Sequence, residues 1–179
     1  IHQQFAEYLA GKFMANQWSK WSKKPDFNKR LADDLAYRER DPIAGHAIAT
    51  LGEQVAGVGI LERVFFFVGD LQKGDACQLF ADSGSKVVIP LIGSVMEDKR
   101  ANEFDRISAI HVLSRIPQDS AIGVLCKFIS RYRNYSRSLI YSAIKALGRC
   151  VPNSAHDALR QIVEDSANPS WMRVGACAQ

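Results

Sequence analysis

The residue types best suited to binding chemistry are concentrated in one short segment of three arginines and two tyrosines. They are Arg131, Tyr132, Arg133, Tyr135 and Arg137. Guanidinium groups pair with phosphates or carboxylates, and tyrosine rings stack on planar groups. The segment is therefore a candidate site for a phosphate backbone or for the acidic side chains of a protein partner. The alternative is that Tyr132 packs inward and the arginines are solvated loop charges.

A second group of basic and aromatic residues occupies positions 18–24, with the sequence WSKWSKK. We expect Trp18 and Trp21 to pack against a domain that precedes this chain. The lysines between and after them are then a polar linker.

The sequence contains none of the spacings that catalysis or metal binding requires. The four histidines lack an HExxH partner and a nearby cysteine, and no serine lies in a G-x-S-x-G context. Asp33 and Asp34 are adjacent, so on a helix they point about 100° apart and make a poor metal clamp. We predict no catalytic residue, no metal ligand and no cofactor, and we expect His111 at a helix surface or in a groove.

Composition indicates a soluble globular protein. The chain has 179 residues, of which 47% are hydrophobic and 23% charged, and its net charge is +4. This apolar content excludes intrinsic disorder. The charge is well short of the basic stripe that by itself indicates a nucleic-acid-binding protein.

The cysteines and the apolar segments indicate where in the cell the protein is located. No two of the four cysteines have C-x-x-C spacing, so we interpret them as reduced, partly buried thiols of a cytoplasmic protein. The longest apolar stretch, residues 55–71, is interrupted by Glu62 and Arg63 and is too short to span a bilayer. We expect no association with a membrane.

The strongest pattern is a repeat of about 34 residues in the second half of the chain. Leucine recurs at positions 91, 125 and 159, and alanine at positions 109, 143 and 176. A parallel apolar row comprises Val95, Ile129 and Val163. Separate rows that keep one period across three units predict a repeat array.

Each repeat contains two stretches with the apolar spacing of an amphipathic helix, and no stretch shows sustained β alternation. Ser154 and Asp157 resemble a capping box at the start of one such helix. Helix pairs of this period bury their apolar faces by stacking, which predicts an all-α fold, an α-solenoid of antiparallel helix pairs. We predict N-terminal helices in residues 1–40, as the tail of a preceding domain, and degenerate helical repeats in 41–84. We expect regular repeats in 85–179 that are truncated at the C-terminus.

Residues 85–179 resemble short HEAT repeats of the phycobilisome-lyase-like type. Residues 89–92 and 96–98 look like the first helix of such a repeat and its acidic exit. The D-P-x-x-V-R-x-x-A turn and second helix are matched by Asn168, Pro169, Met172, Arg173 and Ala176. Arg106 stands before Ala109 as Arg173 stands before Ala176, whereas Ile140 departs from the pattern. The resemblance implies a right-handed solenoid that binds partners on its concave face, and it does not imply lyase activity.

The first residues resemble a segment of NACHT-type signalling NTPases. Residues 2–10, HQQFAEYLA, are similar to an H-x-x-F-x-E-Y-[LF]-A segment that lies between the NTPase core and the repeat sensor of those proteins. An ordinary amphipathic helix with buried Phe5 and Tyr8 is the alternative. The resemblance implies that this chain is the sensor or scaffold arm of a longer NACHT/STAND-type protein, and we expect it to be a fragment.

Three classes of function follow from these observations. The first is a non-catalytic scaffold or sensor arm that binds a protein partner through the concave face. The second is a nucleic-acid-binding HEAT-like domain that uses Arg131, Arg133 and Arg137. The third is a phycobilin-lyase-like protein, for which the sequence nominates no cofactor-contacting residue. We favour the first.

Overall fold

Every regular element among the residues whose secondary structure is described is a helix. The computed structural model describes residues 2–27, 29–31, 41–54, 57–150 and 152–179, and the side chains of all of these except residues 2, 41 and 66–76. These residues contain no β-strand, which confirms the all-α prediction. Asp33 and Asp34 lie outside them. The main helices are α1 (His2–Trp21), α2 (Asp41–Gly52), α3 (Val58–Asp82), α4 (Val88–Glu97), α5 (Glu103–Leu113), α6 (Asp119–Ser130), α7 (Arg137–Leu147), α8 (Asn153–Glu164) and α9 (Ser170–Cys177).

The helices form two compact units, Ile1–Val88 and Ile89–Gln179. The first unit contains α1 to α3, and the second contains α5 to α9 with all of α4 except its first residue. The predicted boundaries at residues 40 and 84 concern the regularity of the repeats and stay predictions. Within the described part of the chain, none of the helices combines the length and the hydropathy of a membrane-spanning segment.

In the first unit, α2 packs against both α1 and α3. Gly11 lies at a close approach of α1 and α2, because a Cβ atom there would collide with the Cβ of His46 and lie 2.9 Å from the carbonyl oxygen of Ile43. Trp18 is fully buried within this chain. The prediction that Trp18 packs against a preceding domain is therefore wrong.

One side of α1 remains exposed. The exposed fractions of Phe5, Leu9 and Phe13 are 61%, 50% and 65%, and these residues follow one another at four-residue spacing along the helix. Tyr8 is also exposed, and the Nζ atom of Lys12 lies 4.7 Å from the centre of its ring. The alternative interpretation of residues 2–10, in which Phe5 and Tyr8 are buried, is wrong.

In the second unit, helices contact both the next helix and the next but one. Helix α7 packs against α5, α6, α8 and α9, and α6 packs against α8. Helix α4 is tied to α5 by Arg106, whose Nε donates to the carbonyl oxygen of Met96 over 2.9 Å. The even-numbered helices are the first members of the predicted pairs, and the odd-numbered helices are the second members.

The leucine and alanine rows form the core of this unit, whereas the third row is buried at Val95 and Ile129 and half-buried at Val163. Leu125, Ala109 and Ala143 have no exposed surface, and the equivalent leucines and alanine, Leu91, Leu159 and Ala176, are also buried. The alanine row lies on α5, α7 and α9, the second helices of the pairs. The sequence therefore predicted these core positions correctly.

The starts of the helices follow the repeat only in part. The side chains of Asn102 and Ser136 accept hydrogen bonds from the backbone N–H groups of Asp105 and Leu139, and so cap α5 and α7. Ser154 does not cap α8, which is preceded by Pro152. The Ser154 hydroxyl instead donates to Oδ1 of Asp119 over 2.6 Å, so the predicted capping box is wrong.

Candidate functional site

The arginine–tyrosine segment connects α6 to α7. Helix α6 ends at Ser130, a single 3₁₀ turn covers Tyr132–Asn134, and α7 begins after its cap Ser136. Arg131, Arg133 and Arg137 are all exposed, and Tyr132 and Tyr135 are half-buried. The short turn therefore places five candidate side chains at one end of a helix pair.

The three arginines reach different partners. Nη1 of Arg131 lies 3.3 Å from Oε1 of Glu97 in the preceding repeat. Nε of Arg133 donates to the hydroxyl of its neighbour Tyr132 over 3.2 Å. The guanidinium of Arg137 lies 5.3 Å from the centre of the Trp171 ring in the following repeat. Arg131 therefore contacts the preceding repeat and Arg137 contacts the following one.

Tyr135 has a packing role. Its ring stacks on that of Phe128, which is fully buried, with 4.2 Å between ring centres and 25° between planes. The guanidinium of Arg106 lies 5.1 Å from the centre of the Tyr135 ring. The pair of rings anchors the connection between α6 and α7. A role in binding for Tyr135 and the other four residues of the segment stays a prediction.

A second candidate surface, which the sequence analysis did not identify, lies on the odd-numbered helices. Phe104 on α5, Tyr141 on α7 and Val174 on α9 are exposed by 76%, 47% and 68%. Tyr141 and Val174 occupy equivalent positions, two residues before Ala143 and Ala176. Phe104 lies one turn before the corresponding position on α5. The repeat therefore places these side chains on the same side of successive helices.

The surface is continuous between α7 and α9. A Cβ atom added at Gly175 would lie 3.4 Å from Cδ2 and Cε2 of Tyr141, so the tyrosine ring rests against the backbone of α9. One turn earlier, the guanidinium of Arg137 on α7 lies over the ring of Trp171 on α9. Two aromatic rings thus bridge neighbouring helices and present part of their surface to solvent.

Positive charge lies beside these rings. His111 and Lys145 are in equivalent positions, two residues after Ala109 and Ala143, and Arg149 follows one turn after Lys145. Partial burial lowers the pKa of His111, and the nearby charges of Arg149 and Lys145 lower it further. We call the combined surface the aromatic–basic face, formed by Phe104, Tyr141, Trp171 and Val174 with His111, Arg137, Lys145 and Arg149.

A cleft of about 270 Å³ between α6 and α8 offers less chemistry. Polar and apolar side chains line it, among them Cys126, Ser130 and Asp165. Burial raises the pKa of the Cys126 thiol, which keeps it protonated and a weak nucleophile. All four cysteines are free thiols, and within the described residues no cluster of three or more histidine, cysteine or acidic side chains could hold a metal ion.

Comparison with known proteins assigns no family to this chain. No model of a protein family matches it, and no curated protein matches it significantly.

Proposed function

We propose that this chain is a non-catalytic protein-interaction scaffold or sensor arm whose second unit is a short HEAT-like α-solenoid. The contacts between helices of that unit support the proposal. Glu97 pairs with Arg131, and Glu103 accepts from Ser136, at separations of 34 and 33 residues. Asp119 accepts from Ser154 at a separation of 35. Polar contacts that recur at one repeat period are those expected of stacked helix pairs.

The remaining parts of the proposal come from the family resemblance. They are the right-handed turn of the array, its concave binding surface, and its place as the arm of a NACHT/STAND-type signalling protein in the cytoplasm. The absence of catalytic residues is also part of the proposal, and it rests on the sequence spacings described above.

The single observation that carries the proposal is the distribution of exposed apolar side chains. Among the described residues of the second unit, the large apolar side chains that are exposed all lie on α5, α7 and α9. Exposed aromatic and aliphatic side chains grouped on one side of a protein are typical of an interaction surface. The even-numbered helices present no such group within that part of the chain.

A peptide selection on the full chain tests this function. Random 16-residue peptides displayed on phage are selected for binding, and the binders are measured against a Tyr141→Ser, Val174→Ser double variant. We expect these peptides to lose at least about tenfold in affinity, because the variant removes the central apolar contacts of the surface. A Phe5→Ser, Phe13→Ser variant, altered at equally exposed positions of α1, should bind them as the parent does.

Two results would contradict the proposal. One is a set of peptides that bind the Tyr141→Ser, Val174→Ser variant as well as they bind the parent. The other is tight binding of a 20-nucleotide single strand that weakens steeply with salt and is lost in an Arg131→Ala, Arg133→Ala variant. That outcome would establish the nucleic-acid alternative.

A further inference from the structure

We propose that the aromatic–basic face binds an acidic segment of a partner protein, one that alternates carboxylates with aromatic or aliphatic anchor residues. This rests on the proposed scaffold function and adds to it the chemistry of the partner. It assigns the contacts to α5, α7 and α9, so that Arg137 on α7 is the one residue of the arginine–tyrosine segment that takes part.

The charge of the face supports an acidic partner. Residues 137–150 and 170–179, which include α7 and α9, contain no aspartate or glutamate, and they carry Arg137, Lys145, Arg149 and Arg173. On α5 the acidic residues are in the first turn, at the end opposite His111. There Asp105 accepts from Asn102, and Glu103 accepts from Ser136. The positive charge at the other end of the face is therefore not balanced by carboxylates of these helices.

The same positive charge acts on His111. Besides burial, the positive charges of Arg149 and Lys145 in the following helix pair lower the pKa of its imidazole. His111 on α5, Lys145 on α7 and Arg149 just after α7 therefore lie in the same part of the face. Because the lowered pKa leaves the imidazole largely neutral near pH 7, the positive charge that would attract a carboxylate here comes from Lys145 and Arg149.

The apolar part of the face supports a protein ligand. Phe104 and Val174 expose most of their side chains, and Tyr141 exposes nearly half. Burying such side chains supplies the affinity at the centre of an interface, and charges at its edge supply selectivity. Arg137 fits both roles, because its guanidinium lies over the Trp171 ring and keeps its edge available for a carboxylate.

The arginine–tyrosine segment is less suited to a nucleic acid than the aromatic–basic face is to an acidic protein segment. The Arg131 guanidinium is paired with Glu97, and that carboxylate is itself 38% exposed. An exposed carboxylate repels phosphates, and each backbone contact requires a free cation. The observations therefore favour an acidic protein segment over a phosphate backbone.

The test compares synthetic peptides with matched charges. Three peptides that bind the full chain in the selection above are synthesised in their selected form and with every aspartate and glutamate replaced by asparagine and glutamine. Fluorescence anisotropy gives their dissociation constants at 50 and 300 mM salt. We expect the selected peptides to be rich in acidic residues, the neutral forms to bind at least about tenfold more weakly, and salt to weaken only the acidic forms.

Charge reversal on the protein locates the site. A Lys145→Glu, Arg149→Glu variant should lose binding of the acidic peptides and retain binding of the neutral forms. The milder Lys145→Gln variant should weaken binding in the same direction. A Lys127→Glu, Arg160→Glu variant makes the same change of charge on exposed residues of α6 and α8 and should bind as the parent does. Circular dichroism of each variant shows whether the fold is retained.

The outcomes separate this inference from the scaffold function. If the neutral peptides bind as tightly as the acidic ones but still require Tyr141 and Val174, the acidic chemistry is wrong and the scaffold function stands. If peptide binding does not depend on Tyr141 and Val174, both are wrong. A 20-nucleotide single strand and the unlabelled acidic peptide are compared as competitors of the labelled acidic peptide. If the single strand displaces the labelled peptide at the lower concentration, the partner is a nucleic acid and the inference is overturned.

Discussion

Nη1 of Arg131 lies 3.3 Å from Oε1 of Glu97, a residue 34 positions earlier in the chain. This separation equals the repeat period found in the leucine row. The arginine comes directly after α6, and the glutamate is the last residue of α4. The pair therefore joins equivalent ends of the first helices of two successive pairs.

The Arg131–Glu97 pair should contribute little to stability. Both side chains are more than one-third exposed, so water and salt screen their attraction. We expect a coupling of about 0.2–1 kcal/mol between Arg131→Ala and Glu97→Ala in a double-mutant cycle of urea unfolding. The coupling should shrink in 1 M salt. A coupling above about 3 kcal/mol would contradict a screened surface pair.

The buried leucine row should be far more sensitive. Leu125 has no exposed surface, and its side chain lies in the core of the second unit. We expect Leu125→Ala to lower the free energy of unfolding by about 2–5 kcal/mol, and Leu125→Asp to unfold its repeat and loosen the neighbouring ones. Chemical denaturation followed by circular dichroism measures the loss.

The same substitution at an exposed leucine is the control. Leu9 on α1 is 50% exposed, so Leu9→Ala should change the free energy of unfolding by less than about 0.5 kcal/mol. If Leu9→Ala and Leu125→Ala lowered the free energy of unfolding equally, burial would not determine how much these leucines contribute to stability.

The repeat made the core of the second unit predictable. Leu91, Leu125 and Leu159 are all buried and recur at the repeat period, so spacing alone identifies this row. The repeat also predicts where the arginine–tyrosine segment lies, because the two helices of a pair must be joined by a connection. These features depend on periodicity, which a single sequence displays.

The aromatic–basic face was not predicted, although the repeat contained the signal. Tyr141 and Val174 are equivalent positions that are apolar and lie off the core stripe, and reading across repeats would have found them. The burial of Trp18 and the hydrogen bond from Ser154 to Asp119 could not have been found in this way. Each depends on which segments meet in three dimensions, and neither belongs to a row that repeats.

The close contact between α1 and α2 gives a prediction at two glycines. In an open helix position, Gly→Ala stabilises by up to about 1 kcal/mol because alanine is the better helix former. Nothing lies within 4 Å of the Cβ position of Gly45 on α2, so Gly45→Ala should stabilise. Gly11→Ala should destabilise, since its methyl group would collide with His46. Thermal unfolding of the two variants should therefore shift in opposite directions, and a shift of Gly11→Ala to higher temperature would contradict the contact.

The surroundings of His111 predict how it titrates. Partial burial lowers its pKa below the ordinary value of 6.5, and Arg149 and then Lys145 add to the effect. An NMR titration should therefore show an increase in the pKa of His111 in Arg149→Ala and a smaller increase in Lys145→Ala. Lys127→Ala removes a positive charge from α6 and should leave the pKa unchanged. A pKa at or above 6.5 in the parent would contradict the positive environment that the aromatic–basic face requires.

The lowered pKa of His111 also fixes the direction of a stability effect. Between the folded and unfolded pKa values the unfolded chain binds more protons, so stability rises with pH across that window. As the pH falls from above 6.5 through the folded pKa, the parent should lose stability relative to His111→Gln, which has no charge to acquire. Urea unfolding of both proteins at a series of pH values measures the difference. It should be constant above the window, because the imidazole is neutral there in both the folded and the unfolded chain.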